Sequence, residues 1–303
     1  MEGACHVFDR SLHLFNSVFP ARRTILIKDV HGRIIVILAG RPNDPSWDTC
    51  IQDAVLAMKT LAEKIVEPTE FFRRGAFPSI AAGISYGGGQ TEPCNLGTTE
   101  LVRSLLEHPS FIRMANFANS VFARYAPKLY QYYCSTLDLL FNQMPHLRRP
   151  FPGSIFTAAS FNFGPQTVTY CHVDQANVPF GLCAIAALGD FDPEKGGHVY
   201  LWELGLVIEF PSGSIIKLPS GSVHHGNTPI RPHEFRCSFT TYCAGGLFRW
   251  VAYGFRTAAA FARRDPVGKR RFNASLSTRW RECLNLFSKA SELTNNVRAV
   301  FGL

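Results

Sequence analysis

The 303-residue sequence predicts an α+β fold, a sandwich or jelly roll of short strands with helices packed around it. Three observations carry this. Between Pro152 and Arg256, short β-rich runs alternate with Pro/Gly turn signals, the spacing of a sandwich or jelly roll. A helical pattern fills 98–147, and helix-like sequence returns from Thr257 onward. The chain divides accordingly into an N-terminal hairpin and helices packing on the core (1–150), the β core (151–256) and a basic helical segment (257–303).

Taken in order, "RTILIKDVHGRIIVILAGRP" (23–42) reads as two β-branched runs around a turn at His31-Gly32. "SWDTCIQDAVLAMKTLAEKIVEP" follows with Ser46 as N-cap, helical periodicity and a stop at Pro68. "SIAAGISYGGGQTEP" is a strand entering a glycine-rich turn; Gly87 to Gly89 lack the Gly-Lys-Ser/Thr ending of a phosphate loop. The helices of 98–147 break near Pro109 and Pro127. In the core, "SIFTAASFNFGP", "TVTYCHVD", "LCAIAALGDFDPEKGGHVYLWEL", "LVIEFPSGSIIKLPSGSVHHGN", "RCSFTTYCAGG" and "LFRWVAYGF" are the strand runs, with Pro-Ser-Gly twice among the turns.

Composition narrows the function classes. At 46% hydrophobic and 18% charged residues, the chain has a folded rather than a disordered balance. No apolar run approaches the roughly 18 residues of a membrane span, and the N-terminus has no basic segment followed by an apolar one. The expectation is a soluble, intracellular protein without a membrane partner. Nine cysteines, an odd number with no Cys-x-x-Cys, argue against a structural zinc or a disulfide framework. The His-x-Glu…Pro-Cys-x-x-Cys pattern of zinc deaminases is absent as well. The net charge of +8 is concentrated at one end: residues 249–303 hold 11 Lys/Arg against 3 Asp/Glu. A basic end on a neutral body fits an anionic partner, nucleic acid first, against the plain alternative of a solvated helix.

"TVTYCHVD" holds the chemistry. Positions i and i+2 share a strand face, so His172 and Asp174 can both point into a barrel mouth. His224-His225 closes the later run "SIIKLPSGSVHH". Two imidazoles and a carboxylate make a facial triad with three open positions, which suits non-haem Fe(II); a closed zinc site needs a fourth ligand. Neighbours on a strand face opposite sides, so only one of His224 and His225 can bind. Arg236 and Ser238 share a face of the following run "RCSFTTY". Guanidinium pairs bidentately with carboxylate, so the two fit the tail of 2-oxoglutarate. The plain alternative for Arg236 is an ion pair with Glu234. His198 has no partner at a fitting spacing and reads as structural, and Phe161, Phe163 and Phe180 are candidates for an apolar wall.

Together "SFNFGPQTVTYCHVDQANVPFGLCAIAALGDFDPEKGGHVYLWEL", "LPSGSVHHGNTPI" and "RCSFTTYCAGGLFRWV" resemble the TET/JBP family of Fe(II)- and 2-oxoglutarate-dependent dioxygenases, in particular its fungal, transposon-associated branch. The likeness covers about 150–255 and extends more loosely to "SYGGGQTEPCNL". It implies a double-stranded β-helix (jelly-roll) core with flanking helices. It also implies oxidation of a methylated base flipped out of DNA: 5-methylcytosine to hydroxymethylcytosine and beyond, or N6-methyladenine. By position, His172, Asp174 and His225 become the iron ligands, the last because the family's distal His precedes a short polar stretch ending in Pro ("HGNTP"). Arg236 and Ser238 become the oxoglutarate clamp, with Asn162 a further oxoglutarate contact. Asn177, three residues after the aspartate, becomes the contact to the flipped base. Position 242 is Tyr where the AlkB-related demethylases carry a second Arg, which argues against that branch.

The expected partners are then methylated DNA and O2, the expected state a monomer, and the expected address the nucleus, with "RRDPVGKRR" as import signal. Alternatives keep the chemistry and change the substrate to RNA, a free nucleobase or a protein side chain. A non-catalytic DNA-binding scaffold and an oxoglutarate-independent cupin are the others.

Overall fold

The computed structural model describes residues 13–15, 24–65 and 74–302. Its main sheet has eight strands. They are β2 (Ile25–Lys28), β3 (Ile34–Gly40), β4 (Ser79–Ser85), β5 (Cys94–Asn95), β6 (Ala158–Asn162), β7 (Cys183–Asp190), β10 (Ile215–Leu218) and β12 (Phe235–Tyr242), in the order β2-β3-β10-β7-β12-β6-β4-β5. The smaller sheet runs β1 (His13–Phe15), β9 (Leu206–Ile208), β8 (Val199–Leu201), β11 (His225–Asn227). The two sheets form the jelly roll that the turn spacing predicts. The main sheet draws strands from both sides of residue 150: the β2–β3 hairpin joins it through β3 and β10, and β4 joins it through β6.

Helices cover the outer face of the main sheet: α1 (Trp47–Ala62), α2 (Glu100–Glu107), α3 (Pro109–Tyr125) and α4 (Pro127–Gln143). Pro109 and Pro127 each sit in the first turn of a helix, where the missing N–H costs nothing, so the predicted breaks are helix starts. Ser46 precedes α1, yet its side chain makes no cap; its hydroxyl bonds Asp44 instead. The stop proposed at Pro68 lies outside the described residues. Phenylalanine fills the layer between sheet and helices: Phe111 of α3 meets Phe161 edge-on at 5.0 Å, and Phe161 meets Phe239 at 5.2 Å. A second core, with Val36, Leu38, Leu201, Ile208 and Ile216, lies between the sheets.

Two runs differ from expectation. "LFRWVAYGF" is not a strand but helix α5 (Gly245–Ala252), which buries Leu247, Phe248 and Trp250 on one face. Its aromatic and β-branched content resembles a strand, while its apolar spacing is helical, and the spacing wins. "TVTYCHVD" forms no regular strand; it lies along β11 through one isolated bridge, His172 opposite His225. Gly226 permits that close approach, since a Cβ there would stand 2.6 Å from Thr169 O. Past α5 come α6 (Ala258–Arg264), α7 (Pro266–Ala274), α8 (Leu276–Leu284) and α9 (Leu293–Phe301). No helix among the described residues is long and apolar enough to cross a membrane.

Candidate active site

Backbone pairing brings the predicted ligands together. His172 N–H donates to His225 O and His225 N–H to His172 O, both at 3.0 Å. Asp174 N–H donates to Ser220 O at 2.8 Å, so the chain turns its carboxylate toward both rings. His172 Nε2 lies 3.5 Å from Asp174 Oδ1, and His225 Nε2 lies 3.9 Å from Oδ2. The ligating atoms of the three residues all lie within 4.8 Å of one another. Each ring is fixed through its other nitrogen: His172 Nδ1 bonds Tyr170 O at 2.8 Å and His225 Nδ1 bonds Val223 O at 2.9 Å. Those carbonyls accept the Nδ1 protons, leaving both Nε2 lone pairs for a metal. Cis donors about 2.1 Å from an octahedral ion stand about 3.0 Å apart, so a modest contraction completes the set. Asp174 Oδ1 is buried and faces a cation already, Arg74 Nη2 at 2.7 Å, whose place beside the carboxylate a metal ion would contest. The donors therefore fit a divalent metal with a carboxylate-tolerant, open coordination sphere.

His224 points away. It is exposed, and its Nδ1 pairs with Glu203. His225 is buried, with its ring in the cluster of His172 and Asp174. His198 bonds Thr228 through its backbone and ring, a structural arrangement.

Electrostatics favour the metal-ready protonation state. Burial alone would push the Asp174 carboxyl up, but the His172 hydrogen bond and the Arg74 charge outweigh it and bring the pKa down to about 2. Burial, helped by the neighbouring His172, lowers His225 to about 4. Both are ready ligands at neutral pH, a carboxylate and a neutral imidazole.

Below the cluster the same cleft, about 680 Å³ including its open mouth, is lined by Arg236, Ser238 and Asn162. Arg236 is buried at 2% exposure and, among the described residues, has no acidic partner. Its Nη1 donates to Thr167 O at 2.9 Å, while Nε has no partner. The alternative pairing fails, because Glu234 is taken by Arg231 at 2.7 Å. Burial lowers the guanidinium to about 10, which still leaves it charged. Asn162 Nδ2 donates to Ser238 Oγ at 3.0 Å and Asn162 Oδ1 accepts from Ser79 Oγ at 2.8 Å. With its oxygen already accepting, the Ser238 hydroxyl proton is free for an anion beside Arg236. Asn162 thus orients Ser238.

Asn177 also lines the cleft, but both its N–H bonds are engaged, with Asp174 Oδ2 at 3.2 Å and Ser220 Oγ at 3.0 Å. It steadies the carboxylate, and only its Oδ1 remains for a base. The wall expected from Phe161, Phe163 and Phe180 is elsewhere. Phe161 and Phe163 belong to the helix-facing core, because alternation along β6 sends Ser160 and Asn162 inward instead. Phe180 meets Tyr132 edge-on at 5.6 Å. The apolar lining comes from Phe77, Ile185 and Val199, with Tyr242 beside them. Sequence reasoning missed Arg74, whose Nη2 stands 2.7 Å from Asp174 Oδ1. It lies 100 residues upstream with no motif around it, so pairing in space was the only signal.

A jelly roll carrying two imidazoles and a carboxylate in one cleft with a buried guanidinium is a site that could hold a metal ion and seat an acidic co-ligand beside it. No family model and no curated protein matches the sequence. Among solved structures, the fold is similar to that of NgTET1 in complex with 5mC DNA, with a TM-score of 0.55, 11% identity, and coverage of 77% of this chain and 82% of that one. Weaker likenesses include an oxidoreductase of the 2OG-Fe(II) oxygenase family from Burkholderia pseudomallei (TM-score 0.34, 16% identity, 62% of this chain and 76% of that one). A prolyl-4-hydroxylase from Pseudomonas putida is another (TM-score 0.32, 17% identity, 65% and 86%). The NgTET1 overlap is one of fold: the double-stranded β-helix with flanking helices.

Proposed function

We propose that this protein is an Fe(II)- and 2-oxoglutarate-dependent dioxygenase that oxidises the methyl group of a modified base in DNA. The primary candidate is 5-methylcytosine and N6-methyladenine the second. The observation that carries the chemistry is the buried, acid-free Arg236 in the cleft of His172, Asp174 and His225. An unpaired interior charge costs several kcal/mol unless a ligand completes it. A dicarboxylate that reaches from the metal to Arg236 does so. Support for DNA comes from the sequence resemblance, from the fold shared with a protein solved on 5mC DNA, and from the basic C-terminal segment. A nuclear address and a monomeric state belong to the same reading.

Bound Fe(II), held by His172, Asp174 and His225, would supply the redox chemistry that couples O2 and oxoglutarate to hydroxylation of a methyl C–H. The chain's own groups do the rest. Arg236 and Ser238 hold the distal carboxylate, with Asn162 aiming the hydroxyl. His172 and Arg74 keep Asp174 ionised, and the Asn177 N–H bond to Oδ2 orients it. Phe77, Ile185 and Val199 narrow the access of water to the reacting face.

The test is turnover by anaerobically reconstituted protein, restarted in air, on duplexes carrying either methylated base or none, with products read by mass spectrometry. An oxidised base that vanishes with His172→Ala and Arg236→Ala is the expected result. Succinate formation without an altered base would retain the dioxygenase and remove DNA as substrate. Silence in both channels from folded, iron-loaded protein would leave a scaffold.

A further inference from the structure

Helices α6, α7 and α8 form an arm held together by its own small cluster. The rings of Tyr253, Phe261 and Phe272 meet at 5.0 to 6.1 Å. Lys269 Nζ donates to Tyr253 Oη at 2.9 Å and lies 4.2 Å from that ring. Outside this cluster the arm is solvated: α7 and α8 bury no side chain. Residues 258–284 carry seven Lys/Arg against two Asp/Glu. Among the described residues, none of Arg263, Arg264, Arg270, Arg271, Arg279 and Arg281 pairs with an acid, and all but Arg279 are exposed. Asp265, the acid nearest them in sequence, caps α7 and lies 3.7 Å from Arg256.

The arm is rooted beside the cleft. Gly245 N–H donates to Ala176 O at 2.7 Å, and Ala244 bridges Asn177, which lines the cleft. From there α5 runs eight residues to Tyr253, about 12 Å at 1.5 Å per residue. Along a nucleic-acid strand, with phosphates about 3.4 Å apart, that distance is three to four nucleotides.

We propose that this arm grips the phosphodiester backbone of the polynucleotide flanking the target base, with Arg263, Arg264, Arg270 and Arg271 as its phosphate contacts. The inference rests on the reading of the substrate as polynucleotide and adds where, and by which residues, it is held. Charge selects the occupant: unpaired guanidiniums are forks for phosphate oxygens. Only Val267, Leu276 and Trp280 are exposed large apolar side chains on the arm, too few for the continuous apolar face of a membrane-lying helix.

The experiment measures binding of the full-length protein to an unmodified 30-base-pair duplex by fluorescence anisotropy between 50 and 200 mM salt. A variant with all four arginines changed to Gln is compared with a charge-matched control, Lys28, Lys64, Arg103 and Lys195 to Gln. Four lost phosphate contacts at a slope of about 0.9 each mean that the native protein sheds about 150-fold more affinity than the arm variant across that range. The control should keep the native slope. Native-like binding by the arm variant overturns the inference and leaves the DNA reading intact. No duplex binding by native protein overturns both. Loss of binding to phosphatidylserine vesicles, with duplex binding retained, makes the arm a membrane contact instead.

Discussion

Arg236→Met is expected to stabilise the ligand-free protein while abolishing its response to oxoglutarate. Met keeps the apolar stem's volume and removes a guanidinium whose pKa burial has lowered from 12.5 to about 10. At about 1.4 kcal/mol per unit, that shift is a penalty of about 3 kcal/mol on the charged form. The substitution also removes the Nη1 bond to Thr167 O, worth about 1 kcal/mol. Thr167 O is not orphaned, because Asn227 Nδ2 donates to it at 3.1 Å. The net gain is about 2 kcal/mol. Urea denaturation of metal-free native and variant protein at pH 7.5 measures it directly. Thermal melts with Mn(II) and a saturating series of oxoglutarate measure the second half: native Tm should climb with concentration and the variant's should not. A variant that is less stable without ligand would refute the reasoning, since the guanidinium would then be a structural donor rather than a charge waiting for a partner.

Three other perturbations probe the same physics. Arg74→Gln removes a cation 2.7 Å from Asp174 Oδ1 that competes with a metal; it should tighten Co(II) binding about 10-fold in a spectroscopic titration. His225 sits at about 4 in the fold against 6.5 ordinarily, so below pH 6.5 the unfolded chain takes up a proton that the folded ring refuses. The metal-free protein should therefore lose about 3 kcal/mol as pH falls from 6.5 to 4, a loss that His225→Phe lacks in urea melts. Lys217, wholly buried with no partner for Nζ, is lowered to about 7 by burial. Its stability penalty is complete below pH 7 and fades as pH rises toward 10.5. Part of it is offset by the Phe156 and Phe122 rings at 4.4 and 4.8 Å, so Lys217→Met should gain about 2 kcal/mol at pH 7, measured by denaturant midpoint.

How much of this could be read from the sequence depended on whether a residue's signal was local. Turn chemistry and proline breaks placed α2, α3, α4 and the 25–40 hairpin. The His-x-Asp spacing, the later His pair and the Arg236–Ser238 alternation picked out residues that the fold gathers in one cleft. What failed was non-local or two-valued. Arg74 reaches Asp174 only through the fold. "LFRWVAYGF" satisfies the composition of a strand and the period of a helix, and composition misled. Phe161 and Phe163 are candidates for a cleft wall by residue type, whereas strand parity sends them to the helix layer.

That parity explains why the site can exist in so apolar a barrel. Along β6, Ser160 and Asn162 face the cleft while Ala159 and Phe161 face the helices; along β12, Arg236, Ser238, Thr240 and Tyr242 face the cleft while Cys237 and Phe239 do not. Antiparallel register sets Ser238 opposite Asn162 and Thr240 opposite Ser160, so the polar rows coincide instead of interleaving with apolar ones. A slip of one residue would put Phe161 beside the His172, Asp174 and His225 cluster and Arg236 among phenylalanines. The phenylalanine layer of Phe111, Phe161 and Phe239 is therefore as much a condition of the chemistry as the ligands are. It fixes the register that keeps one buried charge, and its waiting donors, aimed at the cleft.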